Sequence, residues 1–242
     1  MSDVINGIAS NLNALMNEYD AVSHNIANSN TPGFKKQLSS FSIESQNVTD
    51  ENFNPLACSI DWETKIDFSQ GPLKRTDRPL DVAMEGKGFL MLESPEGRLY
   101  TRDGSLQINI LGQLTDLNGY LVSGKNGPIT IPRSISDSDI QIDGSGIIRA
   151  GQTELGQLQI VEFENIDQLE AAGNNCFRGP EDIVFKPAEN THARQGYCEN
   201  SNVQAVGELT RLLTISRLFE ANSNFLKKQS ENSNTILGVA NG

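Results

Sequence analysis

The stretch that decides the fold is RPLDVAMEGKGFLMLESPEGRLYTRDGSLQINILGQLTDLNGYLVSGKNGPITIP, Arg78 to Pro132. Short apolar runs alternate there with turn signals every ~8–12 residues, the spacing of an all-β sandwich or barrel. The signals are Pro95-Glu96-Gly97, Asp103-Gly104, Leu111-Gly112, Asn118-Gly119 and Asn126-Gly127. Asp-Gly and Asn-Gly suit type I′ hairpins, whose two central residues both need positive φ. IQIDGSGIIRAGQTELGQLQIVEF, Ile140 to Phe163, repeats the device at Asp143-Gly144. The centre of the chain, residues 81–190, therefore reads as a sandwich- or barrel-like β domain of short antiparallel hairpins.

On both sides of this region the hydrophobic period changes. Ile8, Leu12, Leu15, Tyr19, Val22 and Ile26 recur in steps of four and three, a heptad seam that predicts a helix near Val4–Asn28. An asparagine cluster and Pro32 end it, since the residue before a proline is pushed out of the α region. From Asn202 to about Leu237 there is no proline, and a second seam reads Asn202, Ala205, Leu209, Leu212, Ser216, Phe219, Ser223, Leu226. Helices draw most of their stability from packing, and these seams are weak alone, so the two are expected to pair as a coiled pair. The chain thus reads as mainly β with terminal helices, in four parts. Residues 1–34 hold the first helix and the motif after it, 35–80 an extended connector with some strand, 81–190 the β domain, and 191–242 the second helix.

Composition narrows the function classes. The 242 residues carry a net charge of −12, which argues against a nucleic-acid surface, where clustered Lys and Arg must neutralise phosphates. No apolar run approaches the roughly 20 residues of a membrane span, so no membrane insertion is expected. The start, MSDVINGIAS, lacks the cationic and apolar regions of a cleaved signal peptide. Cys58, Cys176 and Cys198 form neither a CxxC pair nor a metal spacing, and read as buried or incidental thiols.

Motifs that imitate chemistry do not hold up. Glu85 to Phe89, EGKGF, lacks the GxxxxGK[ST] spacing of a phosphate loop and reads as a tight strand entry. Asp137, Asp139 and Asp143 lack the spacing and the closing Glu of a calcium loop. Ser23 and His24 point about a hundred degrees apart on a helix and cannot form a nucleophile–base pair; Asp20 and His24 read as a weak surface pair. His192 is the only other histidine, too few for a histidine-rich metal site. The reading is a non-enzyme with no catalytic residues, no cofactor and no metal.

HNIANSNTPGFKK, from His24, resembles the N-terminal signature of the bacterial flagellar axial proteins, the rod and hook subunits. Asn25, Ile26, Ala27, Asn28, Asn30, Thr31, Gly33, Phe34 and Lys35 match, and His24 stands where the family usually has Asn. GYCENSNVQAVGELTRLLTISRLFEAN is similar to the C-terminal signature through Gly196 to Val203, Arg217, Phe219 and Glu220, with Cys198 at a position usually apolar. RPLDVAMEGKGFL, YTRDGSLQIN and GPITIP resemble the β domain of the rod and hook–rod proteins, with Leu111 where an Asp usually precedes the glycine. The short connector, Arg78 to Ala83 and Gly127 to Pro132 look most like the proximal-rod subunit.

The resemblance implies a structural subunit of the basal-body rod, assembling helically through its terminal helices to transmit torque. It implies partners in other copies and other rod and hook axial proteins, and passage through the flagellar type III export apparatus to the periplasm-spanning rod. It also implies termini that order on assembly, driven by intersubunit burial. The expected assembly residues are Ile8, Leu12, Leu15, Asn25, Ile26, Asn28, Asn30, Gly33, Phe34, Ser201, Asn202, Val203, Leu209, Leu212 and Phe219, with Phe34 plugging into a neighbour. Alternatives are a distal-rod or hook-type subunit, a surface β-rich binding protein and an acid-pair hydrolase. Against the binding protein, the β region is read as having no aromatic cluster.

Overall fold

The computed structural model describes residues 2–44, 59–180 and 183–240. It is mainly β, with helix α1 (Ser2–Ala27) near the start and helix α2 (Ala205–Ala240) near the end. The chain forms two compact units: Met1–Ala27 with Gln37–Asp67 and Gln204–Gly242, and Asn28–Lys36 with Phe68–Val203. These cuts differ from the four-part division read from the sequence, because residues 28–36 after the first helix and the stretch up to Val203 before the second belong to the β unit, while Gln37–Asp67 goes with the helices.

In the first unit α1 and α2 lie side by side and antiparallel, so that Glu18 meets Arg211 and Asn25 meets Glu208. The strands Lys36–Glu44 and Ser59–Asp67 form a two-stranded sheet, and α1 also packs against the second of them. These strands replace much of the extended connector expected over 35–80. Cys58 lies outside the described residues.

In the second unit a branched antiparallel sheet runs Glu170–Gly173, Cys176–Arg178, Gly97–Thr101, Phe89–Ser94, Leu121–Gly124, Leu114–Thr115, Gln107–Ile108. Ile160–Phe163 joins it by pairing with Phe89–Ser94 and Phe185–Pro187. Ile140–Ile142, Ile147–Ala150 and Thr153–Gln157 make a three-stranded sheet, and the ribbons Val82–Glu85 with His192–Gln195 and Leu73–Arg75 with Tyr197–Glu199 complete the unit.

Strand periodicity sends alternate side chains to opposite faces. Leu90, Leu92 and Leu99 thus enter a core with Leu106, Leu114, Val122, Ile131, Ile148 and Leu158. Each such aliphatic side chain contributes about 1.5–3 kcal/mol by leaving water. Phe89 and Tyr100, one residue out of phase, meet a different set. Phe68, Phe89 and Phe177 stack edge to face, and Phe163 links Phe89 to Tyr100 and Phe185. An aromatic cluster therefore exists, contrary to the reading from sequence; its members are scattered from residue 68 to residue 185 and only the sheet gathers them.

The turns also correct the sequence. At Asn109, Asp116 and Asp143 the same device recurs: the N–H of the glycine three residues on donates to the backbone carbonyl. The side-chain Oδ1 accepts N–H groups two and four residues on. Gly112, Gly119 and Gly146 have φ of +81°, +87° and +76°. Such a loop needs one left-handed residue, not two, so the expected type I′ turns are absent at these places. Leu111 sits harmlessly inside the first loop. Asp103-Gly104 is not a hairpin turn either: a Cβ on Gly104 would fall 1.7 Å from the Val82 carbonyl oxygen, so glycine allows two backbones to touch. The expectation that EGKGF is a tight link between strands holds, with Gly86 at φ +132° and the Gly88 N–H on Thr191 Oγ1 at 2.9 Å.

Candidate assembly interface

The helix pair carries eight of the fifteen expected assembly residues. Its covered side holds Ala21, Val22 and Asn25 from α1 and Glu208 and Ile215 from α2, all buried. Leu12, Leu15, Ile26 and Leu212 are half-buried; the side chain of Ile8 lies outside the described residues. Leu209 is 48% exposed and Phe219 is also exposed, so the α2 seam read from the sequence is out of phase. The inward row passes through Glu208 and Ile215. The seam read from the sequence runs through Ala205, Leu209 and Leu212 and leaves Glu208 out.

Two polar contacts set that phase. Arg211 Nε and Nη2 both donate to Glu18 Oε1, at 2.8 and 2.7 Å. Asn25 Nδ2 donates to Glu208 Oε2 at 3.4 Å and to the Gln37 carbonyl at 2.8 Å, while Asn25 Oδ1 accepts the Gln37 N–H at 2.8 Å. A buried amide with its hydrogen bonds made is stabilising, and leaving it unpaired costs about 1–3 kcal/mol. Further along, Leu15, Met16, Tyr19, Ile215 and Phe219 line an apolar groove of about 400 Å³, edged by Asp20, Ser216 and Glu220. On the remaining surface of α2, Val206, Leu209, Leu213, Leu218 and Phe225 are exposed, as is Met16 on α1.

The rest of the N-terminal signature belongs to the second unit and is held there by its own chain. Thr31 donates from its N–H to the Asn28 carbonyl and from Oγ1 to Asn28 Oδ1, closing a turn; Asn30 is exposed. Gly33 has φ +69°, and a Cβ on it would fall 2.4 Å from the Asp103 nitrogen. The Gly33 N–H donates to the Glu199 carbonyl, and Asn175 Nδ2 to the Pro32 carbonyl. Phe34 is 6% exposed within the single chain, which corrects the expectation that it plugs into a neighbour. The C-terminal signature meets this turn. Asn202 Oδ1 accepts the Lys36 N–H at 2.8 Å and Nδ2 reaches Ser69; buried Ser201 accepts the Val203 N–H on Oγ, and Val203 is half-buried. These contacts occupy Ser201 and Asn202 ahead of the helix, so α2 begins at Ala205 and not at Asn202.

Among the described residues no group of His, Cys, Asp and Glu could hold a metal ion. No described helix is long and apolar enough to cross a membrane.

Three family models match the chain in order: "Flagella basal body rod protein" over residues 8–35, "Flagellar hook protein FlgE/F/G D1 domain" over 83–150, and "Flagellar basal body rod FlgEFG protein C-terminal" over 194–239. The flagellar basal-body rod protein FlgG of Caulobacter vibrioides is 36% identical, covering 89% of this chain and 90% of its own length. The FlgF rod protein of the same organism is 30% identical over 90% of this chain and 89% of its own. FlgG of Borreliella burgdorferi is 32% identical over 96% and 95%. The first match ends at the buried turn around Phe34, the second spans the β core, and the third follows α2. With relatives aligned over nearly their whole length, the chain belongs to the flagellar basal-body rod protein family.

Proposed function

We propose that this chain is a structural subunit of the proximal part of the flagellar rod, assembling helically through α1 and α2 and transmitting torque. The observation that carries the reading is the set of large apolar side chains left uncovered on the helix pair. Val206, Leu209, Leu213, Leu218 and Phe225 stand exposed on one helix of a strongly acidic chain. Val206, Leu209 and Leu213 fall on one face of the helix and Leu218 and Phe225 on another, and apolar side chains grouped on an exposed face mark an interface. Its partners are other copies and other rod and hook axial proteins, and the subunit reaches the periplasm-spanning rod through the type III export apparatus. The proposed contact residues are the outward Leu209 and the groove lined by Leu15 and Phe219, with the seam residues Ile8 and Leu12. Asn25, Gly33, Phe34 and Asn202 act through the subunit's own shape. The chain works without catalysis.

Locating a labelled copy by cryo-microscopy of purified basal bodies tests the reading. Density at the inner-membrane end of the rod is expected. Density next to the hook would assign the chain to the distal rod instead, and its absence from basal bodies would remove the structural role.

A further inference from the structure

Four segments far apart in sequence meet at one carboxylate in the second unit. Glu199, fully buried, accepts Lys35 Nζ on Oε1 at 2.6 Å and the Gly71 N–H on the same oxygen at 2.9 Å. Its backbone carbonyl accepts the Gly33 N–H at 2.7 Å. Arg102 Nη1 stands 3.7 Å from Glu199 Oε2. Arg102 is itself buried, giving Nη1 to the Met84 carbonyl and Nη2 to the Gly86 carbonyl, with its guanidinium 4.9 Å over the Phe89 ring. Lys35 Nζ also donates to the Ser69 carbonyl at 2.7 Å. One carboxylate thus serves two cations in a place closed to water.

The electrostatic consequence is asymmetric. Burial pulls the Arg102 pKa down, and Glu199 opposes that pull. Taking the carboxylate away leaves two buried charges of the same sign, the costliest arrangement for groups removed from water. Lys35 arrives on the N-terminal signature and Glu199 on the C-terminal one, while Arg102 and Gly71 belong to the β unit between them. The segments also touch without slack: a Cβ on Gly71 would fall 2.0 Å from the Asn200 carbonyl oxygen, and the Asn200 N–H donates to the Pro72 carbonyl.

We propose that Glu199 is the hub of a latch that makes the docking of residues 28–36 and of residues 196–203 mutually dependent. Neither signature holds its place on the β unit without the other. The signature residues around Lys35 and Glu199 then define the shape of one subunit and are not themselves the contact between subunits.

Amide hydrogen exchange on the full-length protein tests this with Glu199→Gln, Lys35→Met and the double variant. Glu199→Gln keeps the side chain's shape and removes the charge. It is expected to speed exchange about a hundredfold at Gly33, Lys36, Gly71 and Asn200 together, while strands Phe89–Ser94 and Leu121–Gly124 stay protected. Lys35→Met leaves Glu199 with Arg102 and folds even if the first variant does not. It is expected to speed exchange at Asn200, far along the chain from the substitution. The double variant is expected to fall short of the sum of the two single effects. Faster exchange confined to the altered segment in Lys35→Met would overturn the latch. So would equal loss of protection in the core strands, because the cluster would then be ordinary core.

Discussion

Asn25 holds the backbone of Gln37 as a neighbouring strand would, accepting its N–H and donating to its carbonyl, both at 2.8 Å. An amide matches this pair of bonds and no other side chain of that size does. Asn25→Asp keeps the acceptor, loses the donor and sets a second buried carboxylate beside Glu208. Asn25→Ala loses both bonds. The alanine variant is expected to lose about 1–3 kcal/mol of stability in the helix pair and the aspartate variant more near neutral pH. Thermal unfolding followed by helical circular dichroism checks the order, and an aspartate variant as stable as the native protein refutes it.

Gly33→Ala combines a left-handed φ with a Cβ that has no room against the Asp103 backbone. A loss of several kcal/mol is expected, beyond the roughly 1 kcal/mol of an ordinary glycine-to-alanine mismatch, because backbone has to shift. Gly119→Ala, where φ is also positive but a Cβ meets open space, is the control. Chemical denaturation of both should show the first variant clearly weaker; equal midpoints would mean the turn relaxes freely.

The two faces of α2 should separate in function. Leu213 is 60% exposed and Ile215 is buried against α1. Leu213→Asp is expected to leave the helix pair intact and to block incorporation into the rod. Ile215→Asp buries a carboxylate without a partner, which costs several kcal/mol or forces the group neutral, and should weaken the helix pair itself. The checks are motility complementation, subunit content of basal bodies and the helical signal of the isolated protein. Normal incorporation of Leu213→Asp would withdraw the outward face as an assembly surface.

Burial raises the pKa of Asp103 above the ordinary carboxylate value; hydrogen bonds from Ser105 pull it back, and the nearby Asp116 and Asp81 add to the rise. The folded protein therefore keeps this proton to higher pH than the unfolded chain. Its contribution to stability is fullest below the unfolded pKa and is lost as pH rises through the folded one. Asp103→Asn keeps an Oδ1 for the Ser105 N–H and removes the charge. The variant should melt a few degrees above the native protein near pH 7, with the gap closing toward about pH 4. A gap that widens on acidification would show the sign to be wrong.

Burial also pushes the Cys176 thiol up to about 12 and the Cys198 thiol up to about 11. In a Cys58→Ser background, both should resist a thiol reagent near pH 8 and react only in denaturant. Rapid labelling of either in the native state would contradict the burial.

The change of hydrophobic period at each end was readable because helix and strand spacing differ along the sequence itself. The hairpin-rich centre was readable too, through its glycines. What escaped are relations between distant residues. Glu208 looks solvated until Asn25 stands opposite it, and that pairing turns α2 by one position. Nothing local in the sequence reveals that a single carboxylate, Glu199, gathers Lys35 and Arg102. Phe34 looks exposed in a run of asparagines and glycine, because the residues that hold its turn, Asp103, Asn175 and Glu199, come much later. The aromatic cluster was missed for the same reason.

The loops at Asn109, Asp116 and Asp143 take their shape from their first residue and their glycine alone. Their middle side chains, Ile110-Leu111, Leu117 and Ser145, are spectators of the hydrogen bonding that the first side chain directs onto backbone N–H groups; Asn118 adds a bond of its own, from Nδ2 to Asp116 Oδ2 at 2.9 Å. Such tips can change their chemistry without disturbing the strands they join. One scaffold can thus present apolar, mixed or small polar tips, and Ile110 and Leu111, both exposed, are one such choice. The same freedom makes the exposed Ser145 side chain a place to attach a dye, giving the subunit a visible address while the Gly144 and Ser145 carbonyls keep their bonds to the Ala193 N–H and to Gln157 Nε2.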